Sequence, residues 1–446
     1  MKDALPGKVL AWYGDDFTGS TDVLEMLSLH GLPAVLFLDE PDAETAARFA
    51  GYRAFGLAGS SRSRSPEWME ENLPAVFHWM AGLGAPVRHY KVCSTFDSSS
   101  GTGSIGKAMD IGRRVLRGGW TPILVGAPAL RRYTAFGHLF AAAGDAVHRI
   151  DRHPAMSGHP VTPMHEADLR LHLAKQTAAQ IGLLSFAELK SAEAHARIES
   201  FARSRVDAVL IDVLDAETLR EAGRLLWAEA ERRPLFIVGS SGVEHALAAW
   251  WKAGGLYEAP MHEPDIEAAD RVLALSGSCA PQTAEQIAFA AANGFAMVRL
   301  DPLALAGGDG REQAAESAIR AAVSALKQGR SVVLYSAAGP GSQLPRETAD
   351  RAGFREDLAR ASGRVLATVL DQTGVRRIVV AGGDTSSHAG AMLGIQALTF
   401  LDSLAPGAPL CRTWSRRPAR DGLEIVFKGG QCGNADFFLK ALRTKD

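Results

Sequence analysis

The 446-residue sequence lacks the features that mark several large classes of protein. Its four cysteines, Cys93, Cys279, Cys411 and Cys432, are widely spaced without a CxxC pair, which argues against a disulfide framework or a zinc site. The net charge is only −2, so neither nucleic acid nor an anionic membrane surface is expected as a partner. No apolar run has the length of a membrane-spanning helix. No secretory signal is recognisable, and we therefore expect a cytoplasmic protein.

Two nucleotide-binding fingerprints are absent as well. The sequence contains no GxxxxGK[ST] loop and no GxGxxG segment that opens a strand-helix-strand unit, and the second absence counts against a dinucleotide cofactor. What is present is a composition typical of a globular protein, with 47% hydrophobic and 22% charged residues. The length is sufficient for two or three domains with cores of their own.

Short apolar runs alternate with segments of helical spacing along most of the chain. Residues 9–13 predict a buried strand, and the apolar positions through Leu27 predict a helix after it. The repeated alternation predicts an α/β protein with two domains, each a mostly parallel sheet flanked by helices. Segment 253–269 has glycines, prolines and acids but little periodicity. We therefore predict domains at 1–252 and 270–446, joined by this linker.

Charged and hydroxyl side chains follow several predicted strands of the first domain. They are Asp15, Asp16, Arg62, Lys91, Cys93, Ser94 and Thr95. Because ligands bind outside the carboxyl ends of parallel strands, we expect these residues to lie close together. A carboxylate there can orient a hydroxyl or take its proton, and the cations suit a small anionic polyol. Each residue alone is better explained as a solvated loop, turn or helix-cap residue.

Three loops rich in glycine and hydroxyls follow predicted strands in the second domain. Their candidate ligand-binding residues are Ser276, Gly277, Ser278, Gly382, Gly383, Asp384, Thr385, Ser386, Gly430 and Gly433. Glycine lets backbone amides approach a phosphate closely, and hydroxyls add hydrogen bonds. One such loop is a common turn, but three in one domain predict a nucleotide or polyphosphate site. A helix is predicted to begin at His388, after the second loop.

Several segments together resemble the motifs of the four-carbon acid sugar kinase family, formerly a domain of unknown function. The matching segments are GDDFTGS at 14–20, SRSRSP at 61–66, PVTPMHEADL at 160–169, SGSCAPQTAEQ at 276–286, GGDTS at 382–386 and KGGQCG at 428–433. The resemblance covers essentially the whole chain. It implies a sugar-acid-binding N-terminal domain and a nucleotide-binding C-terminal domain.

The resemblance also implies an activity, namely ATP-dependent phosphorylation of a terminal hydroxyl on a small acid sugar. ATP would lie on the loops of the second domain, with Mg²⁺ bridging its phosphates; no metal-binding residue is assigned. Asp16 or Asp15 would deprotonate the attacking hydroxyl, while Arg62 and Lys91 would bind the sugar carboxylate or the transferring phosphoryl group. The expected partner is the acid sugar, and a homodimer is the assembly that we allow for.

One segment departs from the family pattern at the substrate loop. Family members carry KKIDSTLRGN, whereas residues 91–97 here are KVCSTFD, so that Cys93 replaces an Asp and Asp97 replaces an Arg. The charge reversal would repel a substrate carboxylate and should change the binding pose or the substrate. This argues against threonate or erythronate, and it favours a 3-oxo-tetronate or a branched relative such as 3-oxo-isoapionate.

Two alternatives stay open at this point. A non-catalytic sugar-acid sensor would keep the fold, and the altered substrate loop is its only support. An aldolase or dehydrogenase of sugar acids is the other alternative. The missing dinucleotide fingerprint argues against a dehydrogenase, and the lack of a metal-ligand histidine cluster in the sequence argues against a metal aldolase.

Overall fold

The computed structural model describes residues 5–191, 193–204, 206–257, 266–307, 310–339, 342 and 353–442. The chain forms two compact units. The first comprises Met1–Ala34 and Ala46–His262, and the second comprises Val35–Thr45 and Glu263–Asp446. Residues 35–45, which the predicted boundaries give to the first domain, thus group with the second unit. Residues 258–265 of the predicted linker lie outside the described residues.

The strands of the described residues are short and mostly buried. They are β1 (Leu10–Gly14), β2 (Ala34–Phe37), β3 (Ala54–Ala58), β4 (Val87–Lys91), β5 (Thr121–Leu124), β6 (Arg132–Ala135), β7 (His138–Ala143), β8 (Ala146–Arg149), β9 (Ile181–Leu184), β10 (Ala208–Ile211), β11 (Leu235–Gly239), β12 (Val272–Ser276), β13 (Ala296–Arg299), β14 (Val332–Tyr335), β15 (Arg377–Ala381), β16 (Ala397–Ala405), β17 (Ala408–Trp414) and β18 (Glu424–Lys428).

Helices follow most of these strands. They are α1 (Phe17–Leu29), α2 (Ala43–Ala47), α3 (Pro66–Gly82), α4 (Ile105–Leu116), α5 (Leu169–Leu173), α6 (Phe186–Leu189), α7 (Ala194–Arg203), α8 (Ala216–Arg232), α9 (Gly242–Ala253), α10 (Pro281–Ala292), α11 (Pro302–Ala306), α12 (Arg311–Lys327), α13 (Phe354–Thr373), α14 (Gly383–Leu393) and α15 (Phe437–Lys440). No helix of the described residues is long and apolar enough to cross a membrane.

The first unit is built on a parallel sheet. Its strand order is β3-β1-β4-β11-β5-β10-β9, and each neighbouring pair is parallel. A smaller antiparallel sheet, β6-β7-β8, stands apart from it. The strand β1 is buried along its whole length because its sequence, LAWYG, is apolar on both faces. This order places the carboxyl ends of β3, β1, β4 and β11 side by side.

The second unit combines parallel and antiparallel pairing. The strands β13-β14-β12-β15-β18 are parallel, and β17, β16 and β2 extend the sheet with antiparallel pairs. Apolar side chains from strands and helices pack in its core, among them Val272, Ile287 and Val379. The predicted fold class, α/β with mostly parallel sheets flanked by helices, is confirmed. The order brings the carboxyl ends of β12, β15 and β18 together.

The start of α14 differs from the sequence prediction. The helix begins at Gly383, with Gly382 as its N-cap, and not at His388 as predicted. Gly382 has φ +120°, a conformation that side chains rarely adopt. Gly, Thr and Ser are weak helix formers, which is why propensity places the start too late. The GGDTS segment is therefore not a loop before the helix but its first turn, where backbone amides are unsatisfied within the helix.

Candidate active site

Asp15 and Arg62 meet at the carboxyl ends of β1 and β3. The Arg62 guanidinium donates to both carboxylate oxygens of Asp15, from Nη2 at 2.6 Å and from Nε at 3.1 Å. Asp15 is 3% exposed, and burial raises its pKa to about 6 although Arg62 opposes the shift. Burial works against charge on Arg62 too, yet the two neighbouring carboxylates raise its pKa well above the usual value. The pair is thus a fixed, bidentate ion pair.

Asp16 has two functions in this geometry. It is the N-cap of α1, where its Oδ1 accepts from the Gly19 amide at 2.7 Å. Its Oδ2 accepts from Nη1 of Arg62 at 2.6 Å. The side chain of Asp16 is 27% exposed, against 4% for that of Asp15. Of the two carboxylates, Asp16 is therefore the more accessible to a ligand.

Lys91 completes the charged group from β4. Its Nζ lies 3.3 Å from Oδ2 of Asp22, although Lys91 itself is almost fully buried. Burial would lower its pKa, but Asp22 and Asp16 more than compensate and the pKa is raised. A Cβ added to Gly19 would lie 3.2 Å from Lys91 Nζ and 3.7 Å from Arg62 Nη2. The two cations therefore flank the first turn of α1.

The predicted substrate-loop residues lie beside this group. The hydroxyl of Thr95 donates to Asp97 Oδ1 at 2.6 Å and contacts Cys93 Sγ at 2.9 Å. The other oxygen of Asp97 accepts from the Thr162 hydroxyl at 3.2 Å. Burial raises the pKa of the Cys93 thiol, an effect that Arg62 opposes and Asp97 increases. Ser94 is half-buried in the same loop. Asp97 is thus not a solvated residue but a buried acceptor of two threonine hydroxyls.

The far part of this loop is anchored on α5 by buried polar side chains. The Ser98 hydroxyl lies 2.9 Å from Nε2 of His172 and 2.9 Å from Nε2 of Gln176. Burial lowers the pKa of His172 to about 4, so the imidazole is neutral near pH 7. The Gly103 amide donates to the Arg64 carbonyl at 2.9 Å. These contacts fix the loop against the Arg62 segment.

In the second unit the structure brings the first two glycine loops together. A Cβ added to Gly277 would lie 2.3 Å from Oγ1 of Thr385, so only glycine permits this approach. Gly277 donates its amide to the Ala381 carbonyl at the end of β15. The Ser276 hydroxyl is buried without a hydrogen-bond partner among the described residues. The Ser386 hydroxyl donates to the Gly382 carbonyl at 2.7 Å and so stabilises the first turn of α14.

The third glycine loop, residues 428–433, packs on the first. A Cβ on Gly430 would lie 2.2 Å from Oγ of Ser278. The Gly430 carbonyl accepts from the Thr283 hydroxyl at 2.7 Å, and the Gly433 carbonyl accepts from Gln286 at 2.9 Å. The predicted residues Ser278, Gly430 and Gly433 thus lie in one cluster.

Two further predictions concern Asp384 and a bound metal ion. The backbone of Gly383 and Asp384 lies in the first turn of α14, but the side chain of Asp384 lies outside what is described. Among the residues that the structure describes, no group of three or more His, Cys, Asp or Glu side chains is placed to hold a metal ion. Four residues in or next to the sequence motifs were not singled out, namely Asp22, Thr283, Gln286 and Lys428.

Known families and proteins match this chain along its length. Residues 10–247 match the family model of a sugar-binding N-terminal domain, and residues 273–438 match that of a nucleotide-binding C-terminal domain. The chain belongs to the four-carbon acid sugar kinase family. The resemblance inferred from the six motifs is therefore confirmed. The first match contains residues 35–45, which group with the second unit; otherwise each match lies within one unit.

Relatives with assigned activities are acid sugar kinases. A 3-oxo-isoapionate kinase of Paraburkholderia graminis is 51% identical over 97% of this chain and 93% of its own length. A 3-oxo-tetronate kinase of Cupriavidus necator is 31% identical over 98% of this chain and 96% of its own. This member of the four-carbon acid sugar kinase family is thus an ATP-dependent kinase of small acid sugars. The sensor, aldolase and dehydrogenase alternatives are set aside.

Solved structures share the fold of this acid sugar kinase. A protein from Salmonella typhimurium LT2 superposes with a TM-score of 0.78 at 24% identity, covering 97% of this chain and 98% of that one. A Haemophilus influenzae protein gives a TM-score of 0.70 at 23% identity, with the same coverage. At these identities the likeness concerns the two-domain fold alone.

Proposed function

We propose that this kinase phosphorylates 3-oxo-isoapionate or a closely similar branched 3-oxo acid sugar. The observation that carries the proposal is the 51% identity to a 3-oxo-isoapionate kinase, against 28–32% for the 3-oxo-tetronate kinases. The higher identity is measured over 97% of this chain and 93% of the relative, a span that covers both the substrate loop and the nucleotide-binding half.

The substrate loop supports a substrate that differs from a linear tetronate. Asp97 stands where the family pattern has a cation, and Thr95 and Thr162 hold its carboxylate in place. A buried carboxylate accepts hydrogen bonds from hydroxyls but repels a carboxylate. Asp97 therefore favours a substrate that presents a hydroxyl-bearing branch to this loop, with its carboxylate directed toward Arg62 and Lys91.

Within the first unit we assign the proton transfer to Asp16. Its side chain is 27% exposed and its Oδ1 is fixed by the cap of α1, so the group is positioned without being buried. Asp15 has both oxygens bound to Arg62 and serves to hold that guanidinium. Arg62 and Lys91 then bind the substrate carboxylate or the transferring phosphoryl group, whose charge phosphoryl transfer must neutralise.

Within the second unit we assign ATP to the three glycine loops. The first turn of α14 offers backbone amides to a phosphate, as helix N-termini commonly do. Ser276, Ser278 and Thr385 add hydroxyls at the same place. Mg²⁺ fits this assignment because it is usually held by substrate phosphates and only one or two carboxylates, and it would neutralise the phosphate charge. A homodimer stays a prediction, which analytical ultracentrifugation tests.

The experiment is a coupled ADP-release assay with the full chain and a panel of acid sugars. The panel contains 3-oxo-isoapionate, 3-oxo-tetronate, threonate and erythronate. We expect kcat/KM for 3-oxo-isoapionate to exceed that for every linear tetronate at least tenfold, which corresponds to about 1.4 kcal/mol. A higher value for 3-oxo-tetronate would refute the substrate assignment but not the kinase activity. Turnover of none of the four would place the substrate elsewhere among acid sugars.

A further inference from the structure

Lys428, at the end of β18, is a buried lysine without a carboxylate partner. It is 0% exposed. Its Nζ donates to the Gly429 carbonyl at 3.1 Å and lies 5.3 Å from the centre of the Phe437 ring. No ion pair of Lys428 is found among the residues that the structure describes. Because burying an ammonium without a counter-charge is costly, this arrangement calls for an anion.

In the loop that follows Lys428, three carbonyls accept hydrogen bonds from side chains of α10. The Gly430 carbonyl accepts from Thr283, the Cys432 carbonyl accepts from Gln286 at 2.8 Å, and the Gly433 carbonyl accepts from Gln282 at 2.9 Å. The amides of Gly430 and Gln431, in contrast, have no acceptor within the described part of the chain. A loop with bound carbonyls and free amides presents positive partial charge on one side.

The position of Lys428 connects this loop to α14. Lys428 pairs with Ala381 in the sheet, and its carbonyl accepts from the Gly382 amide at 2.9 Å. The start of loop 428–433 therefore adjoins Gly382, the N-cap of α14, and the N-terminal turn of that helix is itself a favourable place for an anion. Ser278 lies against Gly430 at the same place. The buried ammonium, the free amides and the helix terminus thus lie on adjoining segments.

We propose that Lys428 binds a phosphate group of the nucleotide, and that Gln282, Thr283 and Gln286 act as positioning residues that hold the amides of loop 428–433 toward it. The proposal rests on the assignment of ATP to the second unit. The phosphate supplies the counter-charge that Lys428 lacks. The alternative is that Lys428 is structural and only seals the turn through its hydrogen bond to Gly429.

The variant Lys428→Gln distinguishes phosphate binding from a purely structural role of Lys428. Lys428→Gln keeps an N–H donor for the Gly429 carbonyl but removes the charge. If Lys428 binds phosphate, calorimetry on the full chain should show ADP affinity weakened about 10–100-fold, the range for a charged hydrogen bond. The melting temperature without nucleotide should stay the same or rise, because an unpaired buried charge is gone. ADP affinity within twofold of wild type would overturn the proposal.

A matched control and a second variant complete the design. Lys440→Gln makes the same change at a partly exposed lysine on α15, paired with Asp436, and should leave ADP binding unchanged. If Lys428→Gln does not fold, Thr283→Val tests whether the hydrogen bond from Thr283 to the Gly430 carbonyl positions the loop. The variant Thr283→Ser keeps the hydroxyl. Loss of ADP affinity in Thr283→Val but not in Thr283→Ser would support the proposal, and equal affinity in both would overturn it. Failure of the wild type to bind ADP would instead overturn the nucleotide assignment itself.

Discussion

The two candidate sites of this kinase use different chemistry to handle negatively charged ligands. In the first unit the charges are side chains that already pair with each other: Arg62 with Asp15 and Asp16, and Lys91 with Asp22. In the second unit the site consists of backbone amides and hydroxyls, with Lys428 as a buried cation. The first site is therefore neutralised internally, whereas the second has positive potential without an internal partner.

This difference has a consequence for catalysis. Asp15 and Asp16 accept from three of the five N–H donors of Arg62, so an acid sugar binds the remaining donors or takes the place of one carboxylate. The Asp15 pair is bidentate and buried, whereas the Asp16 contact is single and partly exposed, so Asp16 is the carboxylate that a substrate would release. We expect substrate binding to free Oδ2 of Asp16 for the attacking hydroxyl. The proposed nucleotide site needs no such exchange, because the amides of Gly430 and Gln431 have no acceptor among the described residues.

The largest effect expected is that of Asp16→Asn. Asparagine caps a helix as well as aspartate does, so the fold and ADP binding should survive. Removal of the general base should lower kcat by about 10²–10⁴-fold. Steady-state kinetics and ADP calorimetry measure the two properties separately.

The matched control for Asp16→Asn is Asp215→Asn. Asp215 caps α8 by accepting from the Thr218 amide at 2.8 Å, so the same change at a helix start should leave kcat unchanged. If Asp16→Asn lowers stability but keeps full activity, Asp16 is only a cap and the base lies elsewhere. Asp15→Asn would then be the next variant, since it faces the same guanidinium.

A second prediction concerns acid, which should remove the contribution of His172 to the stability of the protein. His172 anchors the substrate loop as a neutral group, with a folded pKa of about 4 against about 6.5 in the unfolded chain. The unfolded chain binds the proton first, so stability is lost as the pH falls from about 6.5 toward 4. The loss at pH 5 should be about 2 kcal/mol, from about 1.4 kcal/mol per pH unit.

Urea unfolding at pH 7.5 and pH 5 tests this contribution. Wild type should lose more stability between the two values than His172→Gln, which cannot be protonated there. His78→Gln is the control, because His78 is exposed and should leave the pH dependence of wild type intact. The pKa of His172 also depends on the charges of Lys175, Asp97 and Glu166. These three residues are unchanged in both variants. Equal pH dependence in wild type and His172→Gln would contradict the prediction.

A third prediction tests whether Asp97 selects the substrate. Asp97→Asn keeps the size of the side chain but removes the charge. One threonine hydroxyl can still donate to the amide oxygen, and the amide NH2 has to donate to the other hydroxyl. The ratio of kcat/KM between 3-oxo-isoapionate and 3-oxo-tetronate should fall about tenfold, or about 1.4 kcal/mol, while KM for ATP stays the same. Asp110→Asn, at another aspartate that accepts from a threonine hydroxyl, should not alter the ratio. An unchanged ratio in Asp97→Asn would move substrate choice to other residues.

The strand ends explain which parts of this comparison were predictable from sequence. Asp15 and Arg62 are 47 positions apart, but both follow strands of an alternating pattern, and parallel strands end at one edge. The bidentate geometry depends on side-chain packing and carries no local signal. Lys428 was not identified as a site residue from the sequence, because a single lysine after a strand is common. Only its burial distinguishes it. Asp97 was expected near the substrate, but its contact with Thr162 joins segments that no local pattern connects.

The fold was likewise predictable from the sequence only in part. The parallel strands were predicted because each is a short apolar run bounded by glycine or polar residues. The antiparallel strand β16 was not, since only its first three residues are buried and the rest are half-buried, which leaves no alternation to recognise. The pairing of residues 35–37 with β16 was also unpredictable, because it joins positions more than 350 residues apart.

The smallest effect expected is that of Gly277→Ala, which adds one methyl group to the proposed nucleotide site. Gly277→Ala would place a Cβ 2.3 Å from Oγ1 of Thr385, so the Thr385 hydroxyl or the loop must shift. We expect ADP affinity to fall about fivefold, roughly 1 kcal/mol, while KM for the acid sugar is unchanged. Gly51→Ala is the control, since its Cβ would meet nothing within 4 Å.

The variant Thr385→Ala shows whether Gly277→Ala acts through its clash with Thr385. It removes the atom that the new methyl group meets, and by itself it should weaken ADP binding through loss of a hydroxyl. If the clash with Thr385 is the cause, the double variant should bind ADP no worse than Thr385→Ala alone, because residues in direct contact are not additive. Additive losses would mean that Gly277→Ala acts on the ligand directly. Either result leaves the first unit untouched, so a change in the KM for the acid sugar would instead show that the two sites do not act independently.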